Sequence, residues 1–240
     1  MKNDYLYLVK FGVKEHLQQL SDGYMFFNIV QNYREDKSDY RGDSDEGKIP
    51  INPQKIELIM QNGENLFDIV PRPDTVMHSI VGDEKTLLFC ASKLDGKVFH
   101  KMNDTNRKNL CDEFKSEVRK FGDYVLLITA NELIYRMQKQ VDHKCTGFLR
   151  GSVEYRDLKD FSKEKDFHQI YFPYKNCYDP FFIKDIKYRW QNEWRMILQD
   201  SEARIAKPCG TGAIVNIGKL DYAFLYETEK FLNGIALIEG

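Results

Sequence analysis

Residues 188–198 read Tyr-Arg-Trp-Gln-Asn-Glu-Trp-Arg-Met-Ile-Leu, a polar and aromatic segment that runs directly into an apolar one. The apolar end predicts a buried strand, with Gln191 and Glu193 at its mouth. Because side chains alternate along a strand, these two are predicted to project from the same face. The two tryptophans and the tyrosine are expected to shield that face from water, and the arginine on each side to compensate the carboxylate. A carboxylate in an aromatic cleft beside an amide is suited to stabilising a cationic, sugar-like transition state.

The whole chain is predicted to form one α+β domain spanning residues 1–240, with a few helices packed on antiparallel, twisted sheets. It opens with a strand, a helix and a strand over residues 5–11, 13–20 and 24–30, and a polar loop follows over residues 31–53. The other predicted elements are strands over residues 86–91, 124–129, 148–155, 167–174, 194–198, 213–217, 222–226 and 235–238, a hairpin over 56–60 and 66–70, and helices beginning at Asp104 or Thr105 and at Asn131.

Composition and charge exclude several classes of protein. The net charge of −2 gives no electrostatic basis for binding nucleic acid or membranes over the whole surface, so any nucleic-acid contact has to be local. The five cysteines and five histidines lack metal-ligand spacing, so no metal site or disulfide framework is predicted from them. There is no signal-peptide core and no apolar run long enough to cross a bilayer, so a cytoplasmic protein without membrane contact is expected.

The first predicted strand ends in Lys10-Phe11-Gly12. A glycine before a helix lets backbone groups close on a flat amide without interference from a side chain, and Lys10 adds a positive charge for phosphates or for Glu193. An ordinary strand-to-helix turn relieved by Gly12 explains the same residues, just as a surface salt bridge to a neighbouring arginine explains Glu193. The residues alone leave both interpretations open.

The polar loop carries charges that fit two kinds of site. Arg34 and Arg41 are candidates for clamping a pyrophosphate by bidentate contacts. Asp43, Asp45 and Glu46 are candidate ligands of a divalent cation. A solvated loop of mixed charge is the third interpretation.

Basic and aromatic residues are interleaved over residues 181–195, beside the proposed carboxylate. Stacked aromatic rings with cations between them bind single-stranded nucleic acid without requiring a highly basic protein. An aromatic-rich core segment whose basic side chains reach the surface accounts for the same pattern.

Taken together, Lys10-Phe11-Gly12 and Gln191-Asn192-Glu193 resemble the motifs of the ADP-ribosyltransferase fold, in matching order over nearly the whole chain. In that family, split antiparallel sheets open with a strand, a helix and a strand. The first strand carries His or Arg followed by a glycine that holds nicotinamide, and a late strand carries Glu, often as Glu-x-Glu or Gln-x-Glu. This chain departs from the family in its lysine, and in having only Cys90-Ala91-Ser92 as a loose substitute for a Ser-Thr-Ser triplet.

The resemblance implies NAD as co-substrate. It implies that Lys10 and Gly12 hold the nicotinamide end, with Tyr24 stacked on it and two neighbouring phenylalanines as alternatives to Tyr24. Glu193 would stabilise the ribose oxocarbenium ion as nicotinamide leaves, and Gln191 would orient the acceptor.

The remaining residues assigned to NAD on this resemblance lie on the second strand and in the polar loop. Arg34 or Arg41 would bind phosphate, and Asn28 completes the set.

The order of motifs further resembles the RNA-modifying toxin of a bacterial toxin–antitoxin–chaperone anti-phage system. This implies a NAD-dependent mono-ADP-ribosyltransferase, single-stranded RNA as an acceptor, and an antitoxin protein and a chaperone as partners. Two rivals from other classes remain. One is a metal-dependent nuclease that uses Glu193 with the acidic residues of the polar loop. The other is a catalytically inactive, partner-binding domain on the same fold, which Lys10 in place of His or Arg favours.

Overall fold

The computed structural model describes residues 6–51, 63, 76–78, 83–95, 97–101, 107–141, 146–158, 179–200 and 202–238. In these ranges the strands are β1 Tyr7–Gly12, β2 Tyr24–Ile29, β3 Ile49–Ile51, β4 Val76–His78, β5 Leu87–Leu94, β6 Phe99–Lys101, β7 Arg107–Leu110, β8 Tyr124–Thr129, β9 Gly147–Ser152, β10 Glu154–Arg156, β11 Ile183–Asp185, β12 Glu193–Gln199, β13 Ala206–Cys209, β14 Gly212–Asn216, β15 Phe224–Glu227 and β16 Ala236–Ile238. The α-helices are α1 Lys14–Ser21, α2 Val30–Glu35, α3 Asp112–Val118, α4 Ala130–Gln138 and α5 Thr228–Gly234. Short 3₁₀ helices cover Asp83–Lys85, Arg119–Phe121, Asp179–Phe182 and Ile186–Gln191.

One large antiparallel sheet organises the described residues. Its strands follow the order β13-β14-β2-β5-β1-β8-β15, and β12 pairs with β5 and with β9. The strand that carries Glu193 is therefore separated from the opening strand only by β5. The architecture is α+β with a mostly antiparallel sheet and a few helices, as the sequence predicts.

Strand β5 is shared by the two halves of this sheet. One edge of β5 pairs with β12, from Leu87 to Ser92. On its other edge, β2 pairs with the start of β5, at Leu87 and Leu88, whereas β1 pairs with its end, from Ser92 to Leu94. Since β1 and β2 provide no register partner for residues 89–91, the two strands diverge there and leave a gap beside β5.

The first face of the sheet, here called the apolar face, is covered by α1 and α4. Register partners in a sheet place their side chains on the same face, so β1, β5, β8 and β12 all contribute to one layer. Its buried side chains include Leu8, Phe89, Ala91, Leu126, Ile128, Trp194, Met196 and Leu198 from the sheet, and Leu17, Leu20, Leu133 and Met137 from the helices.

The opposite face, here called the charged face, has two separate apolar clusters. At one end, Val9 and Phe11 of β1 pack against α3 and α5. At the other end, Leu88 and Ile197 pack against α2 and Phe181. Between these two clusters, the side chains of β5 and β12 are polar, and this is where Glu193 projects.

The helices and strands show where the sequence patterns were sufficient. The predicted opening strand, helix and strand are confirmed as β1, α1 and β2, and the apolar strand before residue 130 is β8. Strands are also found at the predicted positions β5, β12, β14, β15 and β16. The predicted strand over residues 148–155 is divided into β9 and β10.

Several predictions were wrong in detail. The loop over residues 31–53 is not continuous, because α2 and β3 occupy its ends. The helix predicted from Asp104 or Thr105 begins only at Asp112, since β7 pairs with β6 and β16. The cap of α4 is Thr129, whose hydroxyl accepts from the Glu132 N–H, rather than Asn131. The predicted hairpin over 56–60 and 66–70 and the strand over 167–174 lie outside the described residues.

Candidate functional site

Asn192 turns the chain from a 3₁₀ helix into β12. Its φ of 42° lies in the left-handed region, which asparagine tolerates better than most residues. The side-chain amide donates to the carbonyl of Lys93 (3.0 Å) and to the carboxylate of Asp95 (2.9 Å). The Asn192 carbonyl accepts from the Lys93 N–H at 2.8 Å. These hydrogen bonds attach the turn to the end of β5. They therefore fix the backbone positions from which the Gln191 and Glu193 side chains project.

Gln191 and Glu193 converge, but strand alternation is not the reason. Gln191 ends the 3₁₀ helix and Glu193 begins β12, so the predicted spacing along one strand is wrong for Gln191. The Asn192 turn lets both side chains reach the same ammonium group. Lys184 Nζ donates to Gln191 Oε1 at 2.9 Å and lies 3.5 Å from Glu193 Oε2.

Arg195 is the centre of a buried ionic cluster, with 1% of its surface exposed. Its Nε and Nη2 donate to the two carboxylate oxygens of Glu193, at 3.0 and 3.1 Å. Its Nη1 and Nη2 donate to the two oxygens of Glu46, at 2.5 and 2.8 Å, and Nη1 also donates to the Phe181 carbonyl. All five N–H donors of the guanidinium therefore have acceptors.

Lys184 brings a second cation to the same two carboxylates. Its Nζ lies 3.7 Å from Glu46 Oε2, in addition to its contact with Glu193. Two cations and two anions are thus buried together. Buried ions are tolerated only when they are paired and hydrogen-bonded, and this cluster meets both conditions.

Residues 36–48, here called the strap, cross the charged face and carry Glu46 to the cluster. The Tyr40 carbonyl accepts from Gln191 Nε2 at 3.0 Å, and the Gly42 carbonyl accepts from the Tyr188 hydroxyl at 3.1 Å. Gly47, with a φ of 68°, lies so close to the Phe181 ring that a Cβ there would be only 2.2 Å from a ring carbon. Residues 36–48 of the polar loop predicted from sequence are therefore part of the site.

Glu193 is held as a carboxylate. Burial alone would raise its pKa, but the charges of Arg195 and Lys184 and hydrogen bonds from Arg195 and the Cys90 thiol outweigh burial and lower the pKa to about 2. The side chain therefore keeps its negative charge at every physiological pH. Its backbone N–H donates to the Tyr155 hydroxyl at 2.8 Å, which further fixes the residue.

A second acid in the strap has the opposite behaviour. Burial, and then the charge of Glu46, raise the pKa of Asp43 to about 6, although Lys184 and Arg195 oppose the rise. Asp43 Oδ1 accepts from the Asp45 N–H at 3.0 Å. The two acids of one site thus titrate far apart, which is a common property of functional sites.

Lys10 occupies the gap beside β5. It projects from β1 on the side of Leu8, over the ring of Phe89, and its Nζ donates to the Cys90 carbonyl at 2.6 Å. Burial lowers its pKa, while the nearby charge of Glu193 acts in the opposite direction. The lysine therefore lies within electrostatic reach of Glu193, although the two residues belong to different faces of the sheet.

The middle of β5 completes the surroundings of Glu193. Ser92 is the register partner of both Glu193 on β12 and Val9 on β1. Cys90 is the partner of Arg195, and burial raises the pKa of its thiol to about 12, so the thiol stays protonated as a donor. The segment Cys90-Ala91-Ser92 is thus the part of β5 that lies between the two predicted motifs.

The structure places Gly12 and Tyr24 away from the ionic cluster. Gly12 ends β1, three residues beyond the rung of Glu193, which corresponds to about 10 Å along the strand. A Cβ on Gly12 would meet only Leu17, at 3.8 Å, so the space there does not demand glycine. The tight neighbour is Gly122, where a Cβ would lie 2.5 Å from the Gly12 backbone. Tyr24 begins β2 with 47% of its surface exposed.

Asn28, Arg34 and Arg41 have different positions. Asn28 accepts from the Ile29 N–H (3.1 Å) and from the Asn32 amide, so it stabilises the start of α2. Arg34 Nε donates to the Glu46 carbonyl at 2.9 Å and thus holds the strap. The Arg41 side chain is 56% exposed and paired with Asp36 in the strap. Its charge lowers the pKa of Lys10, which places this cation beside the gap.

The predicted aromatic shield is wrong for one of its three members, since Tyr188 lies over Lys184 and Trp190 lies beside Gln191, but Trp194 is elsewhere. Trp194 is buried in the apolar face, opposite Glu193, and Arg189 is exposed, so Arg195 is the only one of the two flanking arginines that binds the carboxylate. Trp190 and two further half-buried rings adjoin Gln191. Phe121 lies 5.1 Å from Tyr40 and 6.1 Å from Trp190, between ring centroids.

Glu46 and Lys184 were not assigned their present roles from the sequence. Glu46 was a candidate metal ligand, and Lys184 was one member of a basic strip. The signal that points to Glu46 is the Asp-Glu-Gly ending of the strap, since a glycine next to an acid permits the close approach made by Gly47. Lys184 follows apolar residues on a short strand, without any distinctive pattern.

Within the described residues, no group of three or more His, Cys, Asp or Glu side chains is arranged to hold a metal ion. Glu46 and Glu193 direct their oxygens at Arg195, and Asp45 lies 3.8 Å from Lys48. The nuclease interpretation therefore has no geometric support in this part of the chain. The described helices also include none with the length and apolar character needed to cross a membrane.

A groove of about 610 Å³ lies elsewhere on the molecule, at the edge formed by β1, β8 and β15. Its exposed rings are those of Tyr7, Tyr135, Tyr222 and Phe224. It contains none of the predicted site residues.

Comparison with known proteins gives no assignment. The chain matches no family model, and no curated protein or solved structure is similar enough to count as a match.

Proposed function

We propose that this protein is a NAD-dependent mono-ADP-ribosyltransferase built on an ADP-ribosyltransferase-like split sheet. The observation that carries the proposal is the adjacency of three strands. The strand ending in Lys10-Phe11-Gly12, the strand with Cys90-Ala91-Ser92 and the strand beginning with Glu193 are consecutive neighbours, and Ser92 is the register partner of both outer strands. Val9, which directly precedes Lys10, and Glu193, about 180 residues later in the sequence, therefore lie on one rung of the sheet.

The ionised state of Glu193 fits the chemistry. When the bond between ribose C1′ and nicotinamide breaks, its electron pair leaves with nicotinamide and positive charge develops on the ribose. A fixed carboxylate stabilises that charge without having to reorganise. The acceptor then forms the new bond to C1′ and releases its proton to solvent. Gln191, held by Lys184 and by the strap, is the group we assign to orienting the acceptor.

The residues around the gap fit a dinucleotide in part. Lys10 lies within electrostatic reach of Glu193, and the charge of Arg41 acts on Lys10, so these two cations are the ones we assign to phosphate. The Tyr40 ring, in the strap beside Gln191, is the ring we assign to stacking, whereas the predicted Tyr24 is exposed at the start of β2. Asn28 and Arg34 support the local structure instead, through α2 and the strap.

The biological role we propose is a cytoplasmic toxin of bacterial anti-phage defence that modifies RNA, restrained by an antitoxin protein and assisted by a chaperone. Here the support is the resemblance of the motifs. The acceptor is the first point to test, because single-stranded RNA, DNA and protein give different products.

The test is incubation of purified protein with labelled NAD and separate pools of RNA, DNA and protein. Label transfer to RNA is expected, and Glu193→Gln should lower NAD turnover by at least about 100-fold because the stabilising charge is lost. Glu154→Gln is the matched control, since Glu154 is exposed and pairs with Arg156. Wild-type turnover in Glu193→Gln would refute the proposal. Nucleic-acid cleavage that needs Mg²⁺ and ignores NAD would establish the nuclease instead.

A further inference from the structure

Arg195 binds two carboxylates at once, and only one of them belongs to the motif discussed above. We propose that Glu46 is a positioning residue for catalysis: through Arg195 it balances the buried charge, so that Glu193 retains the negative potential that the reaction needs. This inference rests on the proposed function and adds a residue to the same site. It assigns Glu46 a role that does not require direct contact with NAD.

The argument begins with a count of charges. Arg195 and Lys184 both contact Glu193, so two cations would face this single anion if Glu46 were neutral. Among the groups in direct contact, the charge would then be net positive and would repel a ribose that becomes cationic. With Glu46 ionised, the charges of the four groups sum to zero. The two cations are then shared between two carboxylates, so they neutralise Glu193 only in part. The effect is large at this position because the cluster is buried and water screens it poorly.

The geometry makes Glu46 specific for this role. Its two oxygens accept from the two terminal nitrogens of Arg195, which leaves Nε and the second N–H of Nη2 for Glu193. The guanidinium is therefore clamped in one plane between the two acids. Rotation of Arg195 away from Glu193 would break the contact with Glu46 as well.

The strap delivers Glu46 with little freedom. Arg34 holds the Glu46 carbonyl, the Asp43 N–H donates to the Tyr33 carbonyl at 2.9 Å, and Gly47 abuts Phe181. If Glu46 served only to hold the strap in place, it would not need both carboxylate oxygens on Arg195, the arginine that binds Glu193.

The experiment measures NAD hydrolysis in the absence of an acceptor, so that Gln191 is not required. Glu46→Gln should lower kcat by about 10-fold or more, with KM changed by less than about threefold, because charge at the reacting centre is altered rather than NAD binding. Asp39→Asn is the matched control: it removes an acid from an exposed position of the same strap and should leave kcat unchanged.

Two further variants separate charge from packing. Glu46→Asp keeps the charge and should retain kcat within about threefold of the wild type. The double variant Glu46→Gln/Lys184→Gln restores charge balance, and it should recover at least about half of the loss on a logarithmic scale. It also avoids an unpaired buried cation, so it remains informative if Glu46→Gln alone does not fold.

The outcomes are distinct. A wild-type protein that does not cleave NAD removes the proposed function and this inference with it. An active wild type with an equally active Glu46→Gln overturns the inference alone. A Glu46→Asp variant as impaired as Glu46→Gln, or a double variant without recovery, would assign Glu46 to packing and overturn the inference as well.

Discussion

The two faces of the central sheet are built from the same strands, yet they solve different problems. On the apolar face, alternate residues of β1, β5, β8 and β12 join one continuous hydrophobic layer under α1 and α4. On the charged face, the intervening residues form two separate apolar clusters with Glu193 and Arg195 between them. The difference shows that apolar packing stabilises the sheet mainly from the apolar face. The charged face can therefore hold a buried ionic cluster.

The energetic reason lies in the nature of the two contacts. Each Å² of apolar surface that folding removes from water contributes roughly 25 cal/mol of stability. A buried ion pair contributes little net stability, because desolvation offsets the attraction, but removal of one partner is costly. The ionic cluster therefore specifies the position of the strap more than it stabilises the fold.

The largest effect should come from removing the shared cation. Arg195→Met leaves Glu46 and Glu193 buried without their main partner, and we expect the free energy of unfolding to fall by about 3–5 kcal/mol in urea denaturation. Arg189→Met, at an exposed position six residues earlier, is the control and should change it by less than about 0.5 kcal/mol. Equal losses in the two variants would mean that the cluster is not a coupled unit.

An intermediate effect should depend on pH. The pKa of Asp43 is raised from 3.8 to about 6 in the folded state, so its favourable contribution is present below pH 3.8 and is lost as the pH rises through 6. Asp43→Asn mimics the neutral acid and keeps the Oδ1 that accepts from Asp45. It should therefore increase the free energy of unfolding, by up to about 3 kcal/mol at pH 8 and by about 1.5 kcal/mol at pH 5.

The control for this titration is Asp45→Asn, whose side chain is 42% exposed beside Lys48. Chemical denaturation of both variants at the two pH values measures the difference. A gain in stability that is the same at pH 5 and pH 8 would show that Asp43 is not the titrating group.

The smallest effect should come from the apolar face. Phe27 is fully buried and packs against Phe89, with ring centroids 6.2 Å apart. Phe27→Leu should cost less than about 1.5 kcal/mol, because the volume is largely kept, and the cost should be equal at pH 5 and pH 8. Phe26→Leu, on the exposed side of the same strand, should cost less still. A clear pH dependence for Phe27→Leu would contradict the separation of the two faces.

Local patterns were enough to predict the strands that form the apolar face. The residues of β8 are mostly apolar, β12 contains the apolar run Met196-Ile197-Leu198, and short alternating runs flank α1. Patterns were not enough where pairing between distant segments decides the structure. Leu110 lies four residues before Phe114, which is a helical spacing, but residues 107–110 form β7, and β6 and β16 pair with it from both sides.

The candidate site was predicted in part. Glu193 and Gln191 were recognised from a short motif, and Arg195 was expected to pair with Glu193. The other acid of the cluster could not be predicted, because Glu46 is 149 residues away from Arg195 and no local pattern connects them. The convergence of Gln191 with Glu193 depends on one left-handed residue, Asn192, which strand alternation does not anticipate.

The ammonium of Lys10 does for β5 what a neighbouring strand does elsewhere in the sheet. Where β1 and β2 diverge, the backbone carbonyl of Cys90 would lack a hydrogen-bond donor. The Lys10 side chain, from β1, supplies that donor. The Lys10 side chain thus connects the two halves of the sheet at the gap. A ligand whose phosphate attracts the Lys10 ammonium must leave Cys90 a replacement donor, such as water or a ligand N–H. Ligand binding in the gap and the contact between β1 and β5 at Cys90 therefore depend on the same donor.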